Sequence, residues 1–284
     1  MLKNILFFCI LLMVVGCQTP TKVTERSEAR FSYLVRKNSE PILIDSKTIV
    51  LDSRPKFDYM MYSVPGAIHI LWQEFLQDQV TSNQIASGDK AFSIARRLAR
   101  MGLSVDSDIV VIGRNEPGQK NSGRLAWSLL NWGFKKVQVV SVSRLYKMMS
   151  PFQERKHKSL PIWKPNVEKE NLELSLGELR LGIKKTNTHL VLFVDEKNQL
   201  KGNCSKFSLE VMCAEVGLQS FYNEKGRPEL AGSLRKIIAS KGQGKDIYLV
   251  SSNGVASAAA GFSLVSQGVL NVRNFSGKIS DIKK

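Results

Sequence analysis

Asp246-Ile247-Tyr248-Leu249-Val250-Ser251-Ser252-Asn253-Gly254-Val255-Ala256 opens with an apolar run of strand length, turns through Ser, Asn and Gly, and leads into small residues. The run predicts a buried β-strand, Ser251 to Ala256 a short loop, and Ser257 to Ser266 a helix. Gly268 then stops the helix and Leu270 to Asn274 supplies another strand. The first half of the chain repeats the order. Asp108 to Ile112 is a strand, Gly113 to Gly123 a Gly-rich loop, and Leu125, Ala126, Leu129 and Leu130 mark the apolar side of a helix. Gly133-Phe134 ends that helix and Val137 to Val140 is the next strand. Strand, glycine loop, helix, Gly stop and strand form one βαβ unit, present twice.

Each unit follows an amphipathic segment, Phe92 to Met101 before Gly102 and Leu230 to Ser240 before Gly242. Between the halves, Ser150 to Asn166 is rich in Pro and charge and reads as a linker. Alternating β and α elements imply an α/β fold: two domains, each a mostly parallel sheet flanked by helices.

Thr48-Ile49-Val50-Leu51-Asp52-Ser53-Arg54 and the following Tyr59 and Val64-Pro65-Gly66-Ala67 then make a specific pattern. It resembles the rhodanese family in its tandem two-domain form. Asp52, Arg54, Tyr59, Pro65, Gly66 and Ala67 sit on the signature, while Ser63 replaces its usual His. The resemblance covers about residues 45 to 145 and implies a first domain over 41–149. It is degenerate over 167–284, with Leu172 to Gly182 as the opening helix and Leu190 to Asp195 as the first strand.

What the resemblance implies for chemistry rests on a thiol. In this family a cysteine at a strand end begins a loop of inward N–H groups, backed by a helix N-terminus that favours the thiolate and its persulfide. Here that position is Ser251, and the loop's usual closing Arg falls on Ala256. A serine hydroxyl forms no persulfide, so the expected outcome is a scaffold or binding protein without sulfurtransferase activity. The loop Ser251, Ser252, Asn253, Gly254, Val255 and Ala256 would still be an anion site. The alternative is an active thiosulfate or 3-mercaptopyruvate sulfurtransferase that uses Cys204 or Cys213; a third reading is an envelope assembly protein built on the same platform.

The N-terminus points to export. Lys3 precedes the apolar run Ile5 to Val15, about half the length needed to span a bilayer. Val14-Val15-Gly16-Cys17 resembles a lipobox. The expectation is a signal peptide over 1–16, a lipid on Cys17, a tether over 17–40 and attachment to the cell envelope, with Gln18 resembling the outer-membrane sorting pattern. Cys9 would leave with the signal, so Cys204 and Cys213 would remain, paired or as two buried thiols. Forty-one Lys and Arg against 25 Asp and Glu give +16, a field that favours anionic surfaces, the membrane first. The basic residues are scattered and no nucleic-acid motif occurs. His69, His157 and His189 show no ligand spacing, and Gly242-Gln243-Gly244-Lys245 lacks the P-loop pattern, so neither metal nor cofactor is expected.

Overall fold

The computed structural model describes residues 22–76, 88–114, 119–152, 159–163, 172–184, 188–196, 202–206 and 212–282. The expected signal peptide, Cys17, His157 and parts of the linker lie outside them. The chain runs α1 (Lys22–Ser39), β1 (Thr48–Asp52), α2 (Lys56–Met61), β2 (Ile68–His69), α3 (Gln73–Leu76), α4 (Gly88–Arg100), β3 (Asp108–Gly113), α5 (Lys120–Asn131) and β4 (Lys136–Ser141). The second half follows with α6 (Leu176–Lys184), β5 (His189–Asp195), α7 (Asn203–Lys206), β6 (Met212–Gly217), α8 (Gly232–Ile237), β7 (Asp246–Val250), α9 (Val255–Ser266), β8 (Val272–Phe275) and α10 (Ile279–Ile282).

Two four-stranded parallel sheets result, ordered β2-β1-β3-β4 and β6-β5-β7-β8. The same permutation in both halves is the sequence echo made structural. The apolar runs Val110–Ile112 and Leu190–Val194 are buried throughout because helices cover both faces of a parallel sheet.

The halves are joined through α5 and α9, which make the most extensive contact between any two elements. Every residue of α9 is buried, since its own sheet covers one side and α5 the other. Close approach is bought by glycine. A Cβ on Gly261 would lie 2.7 Å from the Trp127 ring, and one on Gly123 would lie 2.7 Å from the Ala259 Cβ. The Tyr222 hydroxyl packs against Gly123 and donates to the Ala259 carbonyl oxygen at 2.6 Å, and burial pushes the phenol far above the usual tyrosine range.

Three expectations are corrected. Residues 22–39, assigned to a tether, form an 18-residue helix. Its Phe31 and Leu34 are buried, and the Asn38 amide donates to the Val137 carbonyl at 2.9 Å. Burying an aromatic and a leucine together gains several kcal/mol, enough to hold the segment on β4. The opening helix of the second domain starts at Leu176 rather than Leu172, because Leu172 and Leu174 bond in extended form to Asn274. Ser175 and Glu178 then close a reciprocal cap: the Ser175 hydroxyl accepts from the Glu178 N–H, and the Glu178 carboxylate accepts from the Ser175 N–H. Finally the spacing of apolar residues over Phe207 to Val216 predicts a helix, yet its Cys213 lies on strand β6, paired in register with Val191. Short apolar runs do not distinguish helix from strand by spacing, and the open edge of β5 decides.

The described parts of the linker lie on the first domain. Leu160 donates its N–H to the Ala99 carbonyl, and Trp163 packs edge-on to Phe134. Among the described residues no helix is long and apolar enough to cross a membrane.

If the glycine contact sets the joint, Gly261→Val will lower the thermal midpoint by roughly 2–12 °C, the usual range for overpacking a core of this size. Gly177→Ala, on open helix surface with nothing within 4 Å of the added carbon, will leave it unchanged or raise it by up to about 4 °C. A calorimetric scan of the two variants separates these outcomes.

Candidate functional site

Both sheets end, at their C-terminal edges, in the loops where α/β folds carry their sites. In the second domain β7 ends at Val250 and Ser251 follows, 1% exposed. Its hydroxyl oxygen lies 3.0 Å from that of Ser257 and accepts the Ser257 backbone N–H at 3.2 Å. The Asn253 side-chain oxygen accepts from the Val255 N–H at 3.2 Å. Gly254 takes φ +76°, and a side chain there would collide with the Ser276 backbone. Helix α9 begins at Val255, two residues before the sequence expectation, so the turn between strand and helix is only Ser251 to Gly254. Val255 and Ala256, assigned to the loop, are the buried first turn of the helix.

Around this turn the two domains meet on one carboxylate. Glu173 Oε1 accepts from Arg124 at 3.3 Å, from the Trp127 indole N–H at 2.9 Å and from the Asn131 amide at 3.3 Å, all on α5. Its Oε2 accepts from the Asn274 amide at 2.9 Å and the Ser276 hydroxyl at 2.5 Å, both in the second domain. Burial pulls the Arg124 guanidinium below its ordinary pKa, and Glu173 works against that shift. Lys120 to Glu196, 2.7 Å, ties the same faces farther out. The sequence analysis singles out neither Glu173 nor Arg124, because they pair across 49 residues and nothing local marks either one.

The family-signature residues assemble in the first domain. Arg54 and the fully buried Asp52 form a bidentate pair, with Nε–Oδ1 at 3.0 Å and NH2–Oδ2 at 2.7 Å. Arg54 also donates to the Tyr62 carbonyl at 2.6 Å, which fixes the end of α2. The Tyr59 hydroxyl donates to the Ala67 carbonyl, and Gly66 supplies the positive φ of the turn before β2. His69, on β2, contacts the Arg54 carbonyl through Nε2 at 2.8 Å. Ser63 pairs with Ser150 across a short antiparallel bridge, and Pro65 is exposed.

With this geometry in view, residues 39–143 match the family model of the rhodanese-like domain. These residues form a rhodanese-like domain. Solved structures extend the likeness to the tandem fold. The rhodanese-fold 3-mercaptopyruvate sulfotransferase SseA of Escherichia coli superposes with a TM-score of 0.60 at 16% identity, over 86% of this chain and 95% of that one. YnjE gives 0.65 at 15% identity over 88% and 64% of the two chains. EanB, captured as a persulfide with ergothioneine, gives 0.64 at 16% identity over 89% and 66%. The chain thus spans just under two thirds of YnjE and EanB, and at these identities the likeness is one of fold. No curated protein matches the chain in sequence.

The two cysteines raised as an alternative nucleophile lie on the far edge of the second sheet. Cys204 on α7 and Cys213 on β6 form a disulfide with a Cα–Cα distance of 5.7 Å. Neither belongs to the Ser251 turn. Among the described residues no group of three His, Cys, Asp or Glu is placed to hold a metal.

Removing the shared carboxylate leaves Arg124 buried beside an empty partner position. Glu173→Ala is expected to cost about 2–4 kcal/mol, somewhat under the ~3–5 of a wholly buried pair because Glu173 is a quarter exposed. Glu173→Gln, which keeps an acceptor oxygen, will lose less. Denaturant titration monitored by tryptophan fluorescence measures both; equal losses would mean that shape rather than charge matters at this position.

Proposed function

We propose that this protein is a membrane-anchored, rhodanese-like lipoprotein that binds a partner and transfers no sulfur. The observation that carries the reading is the oxygen of Ser251. It stands at the strand end and helix start where the family resemblance calls for a thiol, and it is occupied as the acceptor of the Ser257 N–H. An alcohol has neither the acidity nor the sulfur–sulfur bond that persulfide chemistry requires. The disulfide removes both thiols of Cys204 and Cys213 from nucleophilic use under oxidising conditions. Two helix-start N–H groups are already spent on Ser251 and Asn253, so the turn works as a structural corner more than as an anion cradle.

The anchor follows from the sequence. Lys3, the apolar run to Val15 and the Gly16-Cys17 pair support cleavage before Cys17 and acylation of its thiol. The body would then sit at the envelope membrane, the periplasmic face of the outer membrane in a Gram-negative cell, where the side-chain charge of +15 that remains once Lys3 is removed from the +16 adds attraction to anionic head groups.

Two measurements test these statements separately. The full chain incubated with cyanide and either thiosulfate or 3-mercaptopyruvate will yield no thiocyanate above the uncatalysed background. Thiocyanate formation that disappears in Cys204→Ser or Cys213→Ser would establish the sulfurtransferase instead. Cells fed an alkyne analogue of palmitate will label the protein, and Cys17→Ala will abolish the label and release the chain from the membrane fraction. Persistent membrane attachment without label would make the apolar run a retained anchor.

A further inference from the structure

The first domain has a cavity at the place that corresponds, in the second, to the Ser251 turn. It is about 830 Å³, and it opens at the C-terminal edge of the sheet. Arg54 follows β1 and Arg114 follows β3, and both face it; α2 forms one wall and the turn over Val142–Met148 the other. The walls are fixed before anything binds. Arg114 Nε donates to Asp58 Oδ2 at 2.7 Å and holds that carboxyl below its usual pKa, while Arg54 holds the Tyr62 carbonyl and the Ser63–Ser150 bridge closes the back.

The rim is unusual for a solvated surface. Of the residues that line the cavity, Phe57 is 73% exposed and Tyr146 63%, and Met61 and Tyr62 are each more than half exposed. Most of the large apolar side chains exposed among the described residues belong to these two walls. Single exposed apolar residues need no explanation, but a cluster around a concavity marks a binding surface. The rings of Phe57, Tyr62 and Tyr146 offer rigid anchors, and Met61 and Met149 offer adaptable contact.

Charge selects the occupant. The lining itself carries Arg54 and Arg114 at the strand ends, and the segments that form the walls add exposed Lys56, Arg144 and Lys147 around it. Against these five cations stand Asp58 and the buried Asp52, a net of +3. A flat membrane would leave the cavity unfilled. We propose that this bowl docks a segment of a partner protein that inserts an aromatic or aliphatic side chain and flanks it with acidic residues. The inference supplies the binding face that the scaffold reading needs, and it is independent of whether Ser251 is inert.

The test is a displayed random-peptide selection on the full chain, counter-selected on a Phe57→Ala, Tyr146→Ala double variant. Both residues are exposed, so the variant folds, and unchanged circular dichroism verifies it. Enriched sequences will pair Asp or Glu with Phe, Trp or Leu. A synthetic winner, followed by fluorescence anisotropy, will bind roughly tenfold more weakly to the double variant, the usual scale for lost aromatic anchors, and also more weakly to Arg114→Glu. Leu181→Ala, exposed on α6, will bind like the parent. No enrichment, enrichment of basic peptides, or equal binding by the double variant would overturn the proposal. So would affinity for phosphatidylglycerol vesicles that falls in the double variant, which would make the rim a membrane contact. A positive thiocyanate assay would sink the inert-Ser251 reading and leave this one standing.

Discussion

The crossing of α5 over α9 is the constraint on which the remainder of the molecule depends. Two βα units of the same topology present their helices to one another, and Gly123 and Gly261 let the backbones come close enough for Trp127 to lie on α9. Glycine within a helix costs about 1 kcal/mol relative to alanine. Here the cost is offset by burying Trp127 and Phe262 completely, each contributing on the order of 2–3 kcal/mol or more. The buried sides merge into a single apolar core that draws from both sheets. The halves are therefore separate in topology but continuous in packing.

That continuity explains why the polar groups at the joint are so fully partnered. Glu173 arrives on a short extended segment beside β8 and meets three donors of α5 and two of the second domain. A carboxylate that accepts bonds from both partners couples their alignment, because rotation of one domain against the other breaks several charge-assisted bonds at once. The Ser251 turn lies immediately beyond, against Ser276, so its closed form belongs to the same arrangement.

The sequence was most legible where side-chain period and punctuation agree. Val110 to Ile112 and Leu190 to Val194 are continuous apolar runs, which only a doubly covered strand accommodates at that length, and Gly133 and Gly268 end their helices in positive φ. It was least legible where distant segments decide. Nothing local marks Lys22 to Ser39 as packed structure, since its anchors on β4 lie about a hundred residues away. Cys213 belongs to a strand only because β5 offers an unpaired edge. For the sites, Asp52 and Arg54 are close in sequence and were readable as signature positions, whereas Arg114 and Asp58 are joined across 56 residues and the bowl between them was invisible.

The helix α1 has a mechanical consequence. It lies against both β4 of the first domain and α9 of the second, and Arg227 reaches back to the carbonyls of Asn38 and Glu40 at its end. Were Cys17 held in a bilayer, only five residue steps would separate it from Lys22, a reach of at most about 18 Å. Such a leash is too short to let the body roam. Any tug on the lipid would be felt by a strut seated on both halves, so the protein would stand close over its membrane with a restricted choice of orientations.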